Sequence, residues 1–177
     1  MKTLIVLEGC DGVGKTSCAT NLAEEIRAVY YKTPPKVFES LKGAVESCGD
    51  YNSRFYYYLS GMCYAAHEIN EILKNSHVVC DRYIYSTIVY HRLLGVTIPS
   101  DVENLVPVPD YGFCLHACDS VVRQRLSERE SFGVFDNNFE IQHRAFEEYK
   151  TFNLRLFDTS DLKTEESVFQ IKKIIHL

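Results

Sequence analysis

The octapeptide Gly9-Cys10-Asp11-Gly12-Val13-Gly14-Lys15-Thr16 satisfies the spacing G-x-x-x-x-G-K-[ST] and is equipped to hold a polyphosphate. Glycines let the backbone turn tightly enough for several N–H groups to face one pocket, and a helix beginning behind them adds the positive end of its dipole. Gly9, Gly12, Val13, Gly14, Lys15, Thr16 and Ser17 are therefore the expected phosphate-binding residues for a nucleoside triphosphate. Lys15 is expected to reach the β- and γ-phosphates, and the Thr16 hydroxyl to ligate Mg²⁺. A second reactive set follows at His77-Val78-Val79-Cys80-Asp81-Arg82-Tyr83, an apolar strand that delivers Asp-Arg-Tyr at its C-terminal end. Ligands of open parallel sheets bind at that edge. Asp81 there can hold Mg²⁺ or its waters, and Arg82 can clamp a phosphate bidentately.

The elements that must position these residues are legible as patterns. Lys2 to Leu7 is a short apolar run ending at the glycine-rich turn, which predicts a buried strand. From Lys15 to about Arg27, Cys18, Leu22, Ala23 and Ile26 recur at helical spacing, and Ala28 to Thr33 forms a second strand stopped by Pro34-Pro35. Apolar residues from Phe55 to Leu73 mark a long amphipathic helix with a three-four repeat. Strands are predicted at His77–Cys80, Tyr111–Ala117 and Leu154–Phe157, with helices starting near an Asp119 cap and near Thr164. The polar stretch 127–138 reads as a short lid between helices. Strands alternating with helices give an α/β fold: a five-stranded parallel sheet of the P-loop NTPase type, covered on both faces, as one domain over 1–177.

Composition narrows the partners. The net charge of −5 argues against nucleic acid, since backbone binding needs a basic face. No apolar run approaches the roughly 20 residues that span a bilayer, and no cleavage site precedes the first strand, so a cytoplasmic protein is expected. The seven cysteines are scattered without a Cys-x-x-Cys and read as reduced, mostly buried thiols. The absence of an Asn-Lys-x-Asp segment argues against a GTPase.

Leu7-Glu8-Gly9-Cys10-Asp11-Gly12-Val13-Gly14-Lys15-Thr16, followed by Asp81-Arg82-Tyr83 and Ser86, resembles the thymidylate kinase family. Arg123, Arg125 and Arg129, then Asp136 to Glu140, are similar to its lid region, and Phe157-Asp158-Thr159-Ser160 to its last strand and adenine-side loop. The resemblance implies transfer of the γ-phosphate of ATP to a nucleoside monophosphate, dTMP by default, with Mg²⁺ and usually in a homodimer. It implies that Asp11 contacts the acceptor sugar or its metal and Arg82 the acceptor phosphate. Some members carry a catalytic arginine inside the P-loop, where this chain has Gly12; others supply it from the lid, which here means Arg129 or Arg125. Arg125 and Arg129 are four apart and repel on one helix face unless an anion lies between them, or unless Glu128 and Glu130 relieve them on a solvated face.

Two departures bear on the acceptor. Bacterial members read T-R-E-P-G after the second strand, whereas this chain reads Lys32-Thr33-Pro34-Pro35-Lys36, keeping the proline and leaving Lys36 as a point charge. The family reads the thymine edge with an arginine on the long helix, and none occurs between Phe55 and Asp81. That helix offers Phe55, Tyr56, Tyr57, Tyr58 and Tyr64 instead, which can stack on a base or serve as core and dimer contacts. The expected acceptor side is Asp11, Pro34, Lys36, Tyr58, Arg82 and Tyr83. A kinase of an unphosphorylated or modified nucleoside is the competing enzyme, and a nucleotide-binding regulatory protein the competing class.

Overall fold

The computed structural model describes residues 2–128 and 138–177. Most of the expected lid, Arg129 included, lies outside them. Five strands, β1 (Leu4–Gly9), β2 (Val29–Lys32), β3 (Val78–Asp81), β4 (Tyr111–His116) and β5 (Arg155–Asp158), form one sheet in the order β2-β3-β1-β4-β5. Every pairing is parallel, with Leu7 opposite Asp81 on one side and Phe113 on the other. β1 is central and wholly buried, which is why its sequence, Leu-Ile-Val-Leu-Glu-Gly, reads as a continuous run rather than an alternation.

Period-two alternation still sorts its side chains. Ile5 and Leu7 enter a core with Leu22 of α1 (Lys15–Glu25) and Val168 of α7 (Thr164–Ile175). Leu4 and Val6 enter the opposite core with Ile69 of α3 (Tyr51–Ile72) and Ile88 of α4 (Ile84–Leu93). Helices α5 (Asp119–Ser127) and α6 (Phe139–Tyr149) complete the cover, with Val122, Leu126, Ala145 and Tyr149 in the first core.

Three local outcomes differ from the sequence patterns. α3 begins at Tyr51 rather than Phe55, because Asp50 caps it by accepting from the backbone N–H groups of Asn52 (3.2 Å) and Ser53 (3.0 Å). Arg54 is therefore on the long helix. A further helix, α2 (Glu39–Ser47), has no buried residue, so it has no core face for a periodic signal to report. Asp119 lies in the first turn of α5, with Cys118 at the cap position, and accepts from or pairs with His143 Nε2 at 2.8 Å. Among the described residues no helix is long and apolar enough to cross a membrane, and all seven cysteines are free thiols, four of them buried.

The approach of β1 to β4 yields a test. Gly9 has φ +131°, and a Cβ there would lie 2.1 Å from the Leu115 carbonyl oxygen. Gly9→Ala is expected to lose at least about 3 kcal/mol of stability in urea unfolding. Gly43, on exposed α2 with open space around it, should gain about 0.5–1 kcal/mol on change to alanine. Equal midpoints for the two variants would contradict this strand register.

Candidate active site

β1 hands the chain to a loop that turns on positive φ at Gly12 (+81°) and Gly14 (+92°), and Gly14 is the left-handed N-cap of α1. No side chain caps that end, so the first N–H groups of α1 remain available to an anion. A groove of about 460 Å³ opens beside it, lined by Gly12, Val13, Gly14, Ser17, Arg125 and Thr159 among others. Lys15 is 5% exposed; its ammonium bonds the Cys10 carbonyl and stands 3.8 Å from Asp11 Oδ1. Burial pushes the Lys15 ammonium down, the Arg82 charge pushes it further, and Asp11 and Asp81 oppose both.

Thr16 Oγ1 donates to Asp81 Oδ2 at 2.7 Å, and the Tyr30 hydroxyl donates to the same oxygen at 3.1 Å. This hydroxyl and carboxylate are hard oxygen donors from two adjacent elements. They fit Mg²⁺, which takes one or two protein ligands and completes its shell with phosphate and water. Among the described residues no group of three or more His, Cys, Asp and Glu side chains could hold a metal without such help.

Arg82 adopts a left-handed conformation, φ +66°, uncommon for a residue with a side chain. Its N–H donates to the Leu7 carbonyl at 3.0 Å, and its own carbonyl accepts from Thr33 Oγ1 at 3.0 Å. Its guanidinium makes an ion pair with Asp11, donates to Ser86 Oγ at 3.2 Å, and lies 6.0 Å from the Tyr90 ring centroid. Burial disfavours the charge, but Asp11, then Tyr90 and Tyr149, hold the guanidinium well above its ordinary range.

Glu8 organises this turn. Its fully buried carboxylate accepts from the Tyr83 N–H (2.8 Å), the Ser86 N–H (2.9 Å), Ser86 Oγ and the Tyr149 hydroxyl (3.4 Å). Ser86 Oγ is also 2.8 Å from the Tyr149 hydroxyl. A chain of contacts thus runs from Glu8 through Ser86 to Arg82 and on to Asp11.

Asp11, Lys15, Thr16, Asp81 and Arg82 therefore come together at the C-terminal edge of the sheet. Arg125 is anchored instead: it donates to Thr159 Oγ1 (3.0 Å) and to the carbonyls of Thr159 (2.8 Å) and Leu162 (3.4 Å), one wall of the groove. Tyr83, expected on the acceptor side, is 1% exposed and donates its hydroxyl to the Pro107 carbonyl at 2.8 Å. Its ring is core, because only its backbone N–H is turned towards Glu8. Tyr58 is half-buried and donates to Glu46 Oε1 at 2.6 Å, with the Arg54 guanidinium 5.9 Å from its ring. Pro34 follows a cis peptide bond, and Lys36 is exposed at the start of a short 3-10 turn.

Tyr149 and Tyr30 join the site without belonging to any sequence motif, and Glu8 belongs to the P-loop segment with no role of its own evident there. Only Glu8 carried a signal, as a carboxylate inside an otherwise apolar central strand. Burial raises the Glu8 carboxyl above its ordinary 4.5, against the opposing effects of Ser86 and Arg82. A raised folded-state value contributes stability below the unfolded value and loses it as pH rises through the folded one. Relative to the wild type, Glu8→Gln should therefore gain stability as pH rises above 4.5. Glu8→Ala, which strands the Tyr83 and Ser86 donors, should lose about 2–4 kcal/mol in urea unfolding across the range. A pH-independent Glu8→Gln difference would reject the raised carboxyl.

A family model described as thymidylate kinase matches residues 7–175. A probable thymidylate kinase of Methanococcus aeolicus is 28% identical, the alignment covering 99% of this chain and 97% of that protein. One from Methanococcus maripaludis is 32% identical over 84% and 76% respectively. In solved structures, the fold is similar to thymidylate kinase from Candida albicans (TM-score 0.77, 17% identity, covering 99% and 91%) and from Ehrlichia chaffeensis (TM-score 0.69, 20% identity, covering 98% of each chain). The motifs, the sheet order and the match over nearly the whole length have one reading: the chain belongs to the thymidylate kinase family and is a nucleotide kinase.

Proposed function

We propose that the protein transfers the γ-phosphate of ATP to a nucleoside monophosphate, with dTMP as the default acceptor, as a cytoplasmic homodimer. The observation that carries this reading is Arg82. A P-loop already supplies Lys15 and its backbone N–H groups to the donor, yet a second, half-buried cation stands beside them, paired with Asp11 and Ser86. A monophosphate is the ligand that needs it.

In this reading the uncapped start of α1 and Lys15 hold the donor phosphates, and Arg125, tied to Thr159 and Leu162, shapes the wall behind them. Thr16 and Asp81 hold magnesium, which supplies charge neutralisation on the donor phosphates. Arg82 holds the acceptor phosphate, and Asp11 orients the acceptor. Arg129 is the proposed lid arginine that meets the transition-state charge, as no arginine occupies the P-loop.

Lys15→Ala should abolish phosphoryl transfer in a protein with an unchanged circular dichroism spectrum; near-normal turnover would reject the donor assignment. Arg82→Ala should raise the acceptor KM by about 100-fold. A second reading, phosphorylation of a free nucleoside, is favoured by the loss of the arginine that bacterial members carry before the proline of T-R-E-P-G, the segment here being Lys32-Thr33-Pro34-Pro35-Lys36. In that case the Arg82→Ala effect falls on kcat and acceptor affinity is retained.

The two lid-side arginines separate in the same assay. Arg129→Ala should lower kcat far more than it weakens ATP binding. Arg125→Ala, which removes a tether of the groove wall, should act mainly through the ATP KM. The reverse assignment of effects would exchange their roles.

A further inference from the structure

Thr159 directly follows β5 and lines the groove beside the P-loop, yet it is only 2% exposed. Its hydroxyl has one proton to give and lone pairs with which to receive. The oxygen lies 2.9 Å from the Val13 carbonyl oxygen and 3.1 Å from that of His116. Val13 is the nearer acceptor, and the His116 carbonyl is already met by the Thr159 N–H at 2.8 Å, which leaves the hydroxyl proton to Val13. With that proton committed, the hydroxyl oxygen accepts from Arg125 Nη1 at 3.0 Å, and the Thr159 carbonyl accepts from Arg125 Nη2 at 2.8 Å. One buried side chain therefore joins a P-loop carbonyl to the arginine of the groove wall.

The Val13 carbonyl matters because of what lies across its peptide bond. That peptide is trans, so its C=O and N–H point in opposite directions. A bond that draws the Val13 oxygen to Thr159 therefore turns the Gly14 N–H the other way. Gly14 has no Cβ to resist rotation of the plane, and among the described residues its N–H has no acceptor. An unrestrained plane could turn and remove one donor from the set that must face an anion together. We propose that Thr159 is a positioning residue for the donor nucleotide, holding the Val13–Gly14 peptide with its N–H towards the phosphates and, through the same oxygen, Arg125 in the groove wall. Because one oxygen serves both partners, neither can shift without disturbing the bond to the other. The phosphate end and the base end of the donor site are coupled through it. This inference rests on the donor half of the reading above, in which the P-loop holds a nucleoside triphosphate.

The test measures binding of ATP and of inorganic tripolyphosphate, each with Mg²⁺, by isothermal titration calorimetry to the full-length wild type, Thr159→Val and Thr159→Ser. Tripolyphosphate reaches only the phosphate cradle, whereas ATP also occupies the groove. Thr159→Val keeps the shape and loses the hydroxyl. It should weaken tripolyphosphate by about 10-fold and ATP by about 50-fold, since the wall is released as well. Thr159→Ser, which keeps the hydroxyl, should bind both within about 3-fold of the wild type. In an Arg125→Ala background, the loss of ATP affinity caused by Thr159→Val should shrink to the tripolyphosphate value, because residues that act through each other do not add. The acceptor KM at saturating ATP should change by less than about 2-fold. A folded Thr159→Val protein that binds both ligands as the wild type does overturns the proposal. So does one whose acceptor KM suffers as much as its ATP affinity, or one whose effect adds fully to that of Arg125→Ala. If Thr159→Val does not fold, the wild type still decides: its Thr159 hydroxyl proton should give a slowly exchanging NMR signal, and a hydroxyl that exchanges freely overturns the tie. A wild type that binds neither ATP nor tripolyphosphate overturns the donor reading and this inference with it.

Discussion

The buried carboxylate of Glu8 is the constraint around which the active site is arranged. It lies in the central strand of the sheet, where water cannot reach it, and a charge or dipole in that position must be met by donors. The donors come from the β3–α4 turn, as the Tyr83 and Ser86 N–H groups and Ser86 Oγ, and from the Tyr149 hydroxyl on α6. Meeting them draws the turn onto β1 and keeps Arg82 in a left-handed backbone conformation that is costly by itself. Ser86, fixed by Glu8, then offers its oxygen to the Arg82 guanidinium at 3.2 Å. A packing requirement in the sheet thus becomes the orientation of the Arg82 guanidinium, the proposed clamp for the acceptor phosphate.

The charges beyond Glu8 are paired with one another or with hydroxyls. Asp11 is close to both Lys15 and Arg82, and Asp81 accepts from Thr16 and Tyr30. Two cations thus share Asp11, while two hydroxyls hold Asp81. In the proposed reaction, phosphates would replace internal partners of groups already oriented, leaving little reorganisation for the moment of transfer. Arg125 belongs to a different layer of the same design, since it ties the α5 side of the groove to Thr159 and Leu162.

Much of this was legible in the sequence where chemistry and periodicity coincide. The P-loop spacing, the Asp81-Arg82 pair and the strands β1, β3 and β4 stand out because buried parallel strands and glycine turns leave strong local marks, while the edge strands β2 and β5 are short and mostly exposed. α2 left none, as it buries no residue, and the start of α3 was hidden because a single side chain, Asp50, sets it four residues before the apolar repeat begins. Tyr83 belongs to the motif yet its ring is core, a distinction that depends on which way a turn faces. Tyr149 matters through partners 63 or more residues away, which no local pattern names. Glu8 was visible as an anomaly in an apolar run, and its meaning required knowing which donors reach it.

The central claim is that the Glu8-organised turn is a preformed clamp for the acceptor, built before substrate arrives. It is tested most directly by a crystal structure of the protein bound to a bisubstrate analogue joining adenosine to a thymidine-like nucleoside through phosphates. The account predicts that Arg82 keeps its positive φ, that Glu8 keeps the Tyr83 and Ser86 N–H groups, and that the guanidinium passes from Asp11 to a phosphate oxygen. An Arg82 that reaches the phosphates only after the turn is rebuilt and Glu8 has lost those donors would contradict it.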